Sequence, residues 1–381
     1  MYKIIISLLL IFFSTTNLTY AENEYPFAVP NIDASSYALL DVKSGSIIAG
    51  KNLDKKVEPA SLTKIATLYL VFKSLESKYI SENDYVTISK KAWKMVGSRM
   101  FVEVGKKVQV RDLIQGVIVQ SGNDASVALA EHIAGDEEFF VTMLNKLAGE
   151  MGLDNTKFQN VSGMPNKDHY TTARDLAILS QRLIQDFPEQ YKRFSQKKYT
   201  YNNITQLNRN RLLTTYEYAD GIKTGHTSSA GYCLSASAEL EGTRLVTVIF
   251  GAKSSKVRFK YAKTLFKFGF RNFITTKYFQ KNKIIAKERI WNGEEKYIDI
   301  GFIKDIYITF LKHEDQKIIP KLNLLSKIEA PVRLNQNLGT IDFWKNNKVV
   351  ATEKIYALKR IEEGNLYRRT YDYIANFFIE N

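Results

Sequence analysis

The chain has almost no cysteine. Cys233 is the only one in 381 residues, so an intramolecular disulfide is excluded even in an oxidising compartment. It lies in an apolar, strand-like run at residues 231–236, the setting of a small buried hydrophobe and not of a reactive thiol. Histidine is nearly as scarce. His132, His169, His226 and His313 show no metal spacing, and His313-Glu314 has no second histidine four residues on, so a zinc-protease motif is absent. No Gly-x-Ser-x-Gly occurs either, which removes the nucleophile elbow of the common serine hydrolases. Nothing in this residue set implies a metal or an organic cofactor.

Long apolar runs are also missing. The longest near the start, residues 4–13, follows Lys3 and leads into a polar stretch ending Thr19-Tyr20-Ala21. A membrane span needs about 18 apolar residues or more. The pattern therefore predicts a signal peptide over 1–21 and an exported chain. Acidic residues are outnumbered, 40 against 54 Lys and Arg, giving a formal charge of +14. That balance suits acidic partners or an anionic surface. The lysines are scattered, with no dense basic block or paired-aromatic motif, which argues against nucleic acid as a partner.

The rest of the chain is long enough for two domains. Residues 36–50 read as two short strands around Ser44-Gly45. From 61 to 75, Ile65, Leu68, Tyr69 and Phe72 recur at helical spacing. Further helices are expected at 113–119, 125–133 and 173–184, then strands at 221–224, 231–240 and 243–250, the last two joined by the hairpin turn Glu241-Gly242. Strands at both ends with helices between imply an α+β domain whose antiparallel sheet draws on both ends. Past Phe273 short β-rich runs separated by polar turns predict a small all-β domain over 274–358.

The last segment, 359–381, regains helical period. At ~100° per residue, Leu366, Tyr367, Tyr371, Tyr373, Ile374, Phe377 and Phe378 share one face, and Arg368, Arg369, Asp372, Asn376 and Glu380 the other. An aromatic amphipathic helix of this kind suits a membrane interface. Lys345, Lys348, Lys354, Lys359 and Arg360 upstream supply the attraction to anionic lipid.

Chemistry is concentrated in three short motifs. Ser61-Leu62-Thr63-Lys64 opens the helix at 61–75. Residues three apart share a helix face, so Lys64 reaches the Ser61 hydroxyl. The apolar turn after it, Ile65, Ala66 and Leu68, desolvates the ammonium and lowers its pKa. A neutral amine accepts the serine proton. The spacing alone is cheap, since Ser195-Gln196-Lys197-Lys198 repeats it in a polar stretch. Ser121-Gly122-Asn123 sits at a break between apolar helices, and Lys223-Thr224-Gly225 ends a strand.

In this order the three motifs resemble those of the low-molecular-mass penicillin-binding proteins that act as D-alanyl-D-alanine carboxypeptidases. Residues 120–125, 208–213, 221–238 and 339–343 share the likeness, which spans nearly the whole chain after residue 21. The resemblance implies a β-lactamase/transpeptidase-like catalytic domain over 22–273, then the β-rich domain and the membrane-association helix. It implies Ser61 as the acylated nucleophile, Lys64 as its base and Ser121 as a proton relay. Asn123 would hold the substrate amide, and Lys223, Thr224 and Gly225 would line the terminal-carboxylate side. His226 would contribute a backbone N–H, with that of Ser61, to an oxyanion hole, and Arg258 would be a further carboxylate ligand. The expected substrate is a peptidoglycan stem pentapeptide at the periplasmic face of the inner membrane, with β-lactams as acylating inhibitors. A transpeptidase, a β-lactamase-like hydrolase and a non-catalytic wall-binding scaffold stay open. For the β-lactamase, Glu189 follows Pro188, but Arg193 stands where that family has asparagine.

Overall fold

The computed structural model describes residues 28–315 and 317–377. The expected signal peptide at 1–21, and Phe378 and Glu380 of the last helix, lie outside them. Five antiparallel strands form the central sheet: β1 (Ser36–Asp41), β2 (Ile47–Lys51), β3 (Ala219–Thr227), β4 (Gly231–Leu240) and β5 (Thr243–Ala252), in the order β2-β1-β5-β4-β3. The N-terminal strand β1 pairs along its whole length with β5, Ser36 opposite Phe250 and Asp41 opposite Leu245. The sheet is therefore closed by both ends of the first region, as the segregation of strands in the sequence requires.

Side chains alternate across a strand, and here both sets are buried. Ala38, Leu40, Val246, Val248 and Phe250 face helices Lys64–Glu76, Asn123–Ala134 and Ala173–Asp186. Tyr37, Leu39, Leu234, Ala236 and Leu245 face Phe259, Ala262, Leu265 and Phe266 of helix Ser255–Asn272. That double burial explains why the strands read as continuous apolar runs. Cys233 lies fully buried in the first of these cores, and burial pushes its thiol up to about 11. The β4–β5 turn places Glu241 and Gly242 at φ 49° and 73°, the left-handed pair of a tight hairpin turn.

The helix expected over 61–75 is present but begins differently. Residues Ala60–Thr63 form one 3-10 turn, and the α-helix runs Lys64–Glu76. A 3-10 turn eclipses positions i and i+3, which sets Lys64 over Ser61 more directly than an α-turn does. The break before Asn123 is likewise sharper than the sequence suggests: a π-helical turn, Gly116–Gln120, ends in Ser121 at φ 63°.

Beyond Phe273 the chain is β-rich. Strands Ile284–Arg289, Tyr297–Gly301, Lys348–Ala357, Asn337–Lys345 and Ile319–Leu324 make a five-stranded antiparallel sheet in that spatial order. Its own core holds Ile298, Ile300, Phe302, Ile341, Phe343 and Ile355. Polar contacts join it to the first region: Thr275 Oγ1 donates to Asp41 at 2.8 Å, and the Ser44 and Thr309 hydroxyls lie 2.7 Å apart.

Helix Leu366–Phe377 packs on this β-rich region through its polar side. Asp372 is 1% exposed and accepts from Arg289 Nη2 at 2.6 Å and the Asn292 N–H at 2.8 Å. Leu366, Tyr367, Tyr371, Tyr373 and Ile374 point outward, with Tyr367 81% exposed. Among the described residues no helix is long and apolar enough to cross a membrane.

Because Phe343 is fully buried in a separate core, Phe343→Ala should cost about 3–5 kcal/mol through cavity formation. Urea melts should show that loss.

Candidate active site

The three motifs converge on one cleft of about 1120 Å³, lined by Ser61, Ser121, Thr224, Gly225, His226 and Arg258 among others. Lys64 stands behind Ser61 at 0% exposure. Its Nζ makes three contacts: Ser61 Oγ at 3.1 Å, Asn123 Oδ1 at 2.7 Å and the Ser162 carbonyl at 2.5 Å. Burial, first, and then the charge of Arg209 lower its pKa to about 7, against a smaller opposing pull from Asp124. In the neutral amine two protons satisfy Asn123 Oδ1 and the Ser162 carbonyl. The lone pair is left facing the Ser61 hydroxyl, the geometry of a base.

Ser121 is 2% exposed, and its Oγ has no hydrogen-bond partner among the described residues. Its left-handed backbone is a conformation that ordinary residues adopt at a cost of about 1–3 kcal/mol. The π-helical turn before it and the helix at Asn123 hold it there. Asn123 is more committed than a free substrate ligand: its Nδ2 donates to the Val96 carbonyl at 2.6 Å, and its backbone N–H to Ser98 at 2.7 Å. Asp124 fixes the same loop, accepting from the N–H groups of Met100 at 2.9 Å and Phe101 at 2.8 Å.

Strand β3 supplies the opposite wall. Lys223 is 2% exposed and its pKa lies well below the usual lysine value, from burial first and then from Lys64, Arg209 and Arg258. Gly225 allows a close approach: a Cβ there would sit 3.3 Å from the Ser61 nitrogen and 3.2 Å from the Pro59 carbonyl, tight enough to push the turn back. The Ser61 N–H thus lies against the strand next to His226, whose ring packs on Tyr232 at 4.2 Å between centroids. Arg258 is buried and donates from Nη1 to the carbonyls of Gly225 at 2.9 Å and Cys233 at 3.0 Å. Burial lowers it to about 10. It therefore braces the end of β3 as well as facing the cleft.

Sequence reasoning missed three contributors. The Ser162 carbonyl is a backbone atom, so no side chain advertises it. Asp124 acts through N–H groups more than twenty residues away. Exposed Lys197, Lys198, Arg209 and Arg211 line the cleft with Arg258, and no carboxylate among the lining residues offsets them; only the run 208–213 carried a signal of this. The rival glutamate is elsewhere: Glu189 is 81% exposed and pairs with Lys192 at 2.7 Å. The decoy Ser195 is exposed and donates to the Lys192 carbonyl at 2.8 Å.

A serine held against a buried amine whose pKa is lowered, beside a cationic wall, is the arrangement of a serine acyl-transfer enzyme. Comparison with known proteins gives the family. Residues 23–254 match the family described as D-alanyl-D-alanine carboxypeptidase, and 273–363 the C-terminal domain of penicillin-binding protein 5. The chain is 40% identical to D-alanyl-D-alanine carboxypeptidase DacA of Escherichia coli over 359 residues, 92% of this chain and 89% of that protein. It is similar to the crystal structure of penicillin-binding protein 5 from Haemophilus influenzae, with a TM-score of 0.80 and 38% identity, covering 88% of this chain and 100% of that one. The ampicillin-bound form of penicillin-binding protein D2 from Listeria monocytogenes matches 64% of this chain and 100% of that one, with a TM-score of 0.59 and 28% identity. The chain belongs to the D-alanyl-D-alanine carboxypeptidase family. It is a penicillin-binding serine carboxypeptidase of peptidoglycan remodelling.

The acylation rate should rise with pH through about 7, as Lys64 loses its proton. Because Arg209 helps hold that pKa down, Arg209→Ala should move the inflection to higher pH. Stopped-flow acylation by a chromogenic cephalosporin from pH 5.5 to 9 reads both, and a flat wild-type profile would remove Lys64 as the base.

Proposed function

We propose the following roles for the site residues. The Ser61 oxygen attacks the carbonyl of the penultimate D-alanine as its proton passes to Lys64. The backbone N–H groups of Ser61 and His226 receive the developing oxyanion. Ser121, its buried hydroxyl uncommitted among the described residues, carries a proton on to the amine of the departing D-alanine. Lys223, Thr224 and Arg258 face its carboxylate, whose arrival favours the charged form of both cations. Asn123 orients the acyl-side amide, and water then releases the shortened peptide from the ester.

The observation that carries this reading is the Lys64 Nζ, 3.1 Å from Ser61 Oγ with two other acceptors already assigned. Treatment with benzylpenicillin should raise the intact mass by one adduct, on Ser61. Ser61→Ala should take no adduct and release D-alanine from a pentapeptide at least about 10⁴-fold more slowly. Equal release by both proteins would end the assignment.

We also propose the division into a catalytic domain over 22–273, a β-rich domain over 274–358 and a membrane-association helix over 359–381, on an exported protein at the periplasmic face of the inner membrane. Support for the helix's role is its orientation: the polar side is held by Arg289 and Asn292, and five apolar or aromatic side chains at Leu366, Tyr367, Tyr371, Tyr373 and Ile374 face outward. Such side chains insert part-way into a bilayer surface. Replacing Tyr367, Tyr371 and Tyr373 by serine should abolish sedimentation with vesicles containing anionic lipid and leave D-alanine release unchanged. Undiminished sedimentation would refute the helix's role.

A further inference from the structure

No histidine lies near Ser61 in sequence, yet one lies behind it in space. His169 is 2% exposed, and its Nε2 sits 2.9 Å from Thr63 Oγ1, 106 residues away in the chain. Thr63 is fully buried within the motif itself, and its hydroxyl donates to the Ala60 carbonyl at 2.9 Å. The backbone N–H of Gln159 donates to His169 Nδ1 at 3.4 Å. These contacts fix the tautomer. The one Thr63 proton is used on Ala60, and Nδ1 is an acceptor, so Nε2 carries the ring proton and donates to Thr63. Phe158 closes the site edge-on, with ring centroids 5.8 Å apart. Burial and then the neighbouring Lys64 lower the imidazole to about 4, so it keeps this neutral form through the working range.

The relay ends on an unusual peptide. Ala60 has φ 48°, a left-handed conformation for a residue with a Cβ. Its carbonyl is pressed against Gly163, where an added Cβ would fall 1.7 Å from the Ala60 oxygen. A peptide is planar, with its C=O and N–H pointing in opposite directions. Holding the Ala60 oxygen on the Gly163 side therefore turns the Ser61 N–H the opposite way, and the Ser61 nitrogen lies beside Gly225 of β3. The loop that supplies Gly163 also supplies the Ser162 carbonyl that binds Lys64. His169 ties Gln159 in this loop to the turn that carries the nucleophile.

We infer that His169 is a positioning residue for the oxyanion hole: through the Thr63 hydroxyl it fixes the Ala60 carbonyl, and with it the direction of the Ser61 N–H. This rests on Ser61 as the acylated nucleophile. The group that touches substrate is the Ser61 N–H; His169 and Thr63 act through it.

Thr63→Val keeps the shape and removes the hydroxyl. It should lower the first-order acylation rate constant for a chromogenic cephalosporin by about 10- to 100-fold. The dissociation constant of the initial complex should stay within twofold, with one adduct per chain, while the buried His169 N–H left without an acceptor lowers the melting temperature by a few degrees. Thr63→Ser should restore the rate to within about threefold of wild type, and His169→Gln, which keeps a donor and an acceptor, should retain more of it than His169→Leu. Where one relay is shared, the double variant Thr63→Val/His169→Leu should be no slower than the slower single variant. Wild-type acylation rates in Thr63→Val would overturn the proposal, as would a double variant whose loss is the product of the two single losses. If His169→Leu does not fold, Thr63→Val and Thr63→Ser decide it. Absence of any adduct on the wild-type chain would instead remove the Ser61 reading, and the proposal with it.

Discussion

Everything at this site depends on hiding an amine from water without leaving it unpaired. A lysine ammonium in an apolar interior is strongly disfavoured, and the usual outcome is loss of the proton. In the proposed mechanism that loss is what makes Lys64 a base. Lys64 is fully buried, yet its nitrogen has Ser61 Oγ, Asn123 Oδ1 and the Ser162 carbonyl around it. Those three atoms come from a 3-10 turn, a helix start and a loop. The surrounding architecture brings three distant segments within hydrogen-bond reach of one nitrogen. Helix Asn123–Ala134 packs on helix Lys64–Glu76 for the same reason that it can deliver Asn123.

The second constraint is charge. Lys64, Lys223 and Arg258 are all buried, and each is lowered in part by a neighbouring cation. With no carboxylate among the residues lining the cleft, this repulsion is opposed at Lys64 only by a smaller pull from Asp124. In the proposed mode of binding, an arriving substrate carboxylate relieves it and favours the charged form of Lys223. As the proposed base, Lys64 on the Ser61 side needs the opposite state. The same field thus favours a neutral base at one end and binding of an anion at the other, and Arg209 contributes to both.

The parts legible in the sequence were those with periodicity or punctuation. Strands Gly231–Leu240 and Thr243–Ala252 are marked by apolar runs and by Glu241-Gly242, and the amphipathic face of Ala173–Asp186 marks that helix. What stayed hidden was backbone. The left-handed φ of Ala60 and Ser121 leaves no trace in residue type, since neither is glycine. The Ser162 carbonyl has no identity to read. His169 reads only as a histidine without metal spacing until folding sets it beside Thr63. The last helix shows the limit of face analysis. Its two faces were legible, but which one meets protein was decided by Asp372 finding Arg289 and the Asn292 N–H, a polar dock that hydropathy does not anticipate.

The two Ser-x-x-Lys segments show why spacing alone is weak. Ser195 and Lys198 have the same separation as Ser61 and Lys64, but Lys198 begins a strand and is exposed, and Ser195 spends its hydroxyl on Lys192. Exposure leaves the Lys198 side chain in water, with no turn to hold it against the serine. At Ser61 the turn aligns the pair, the apolar core removes water, and two further acceptors direct the lone pair. The chemistry therefore belongs less to the tetrapeptide than to its burial. A serine and a lysine three residues apart become nucleophile and base only when the fold makes the ammonium costlier than the amine.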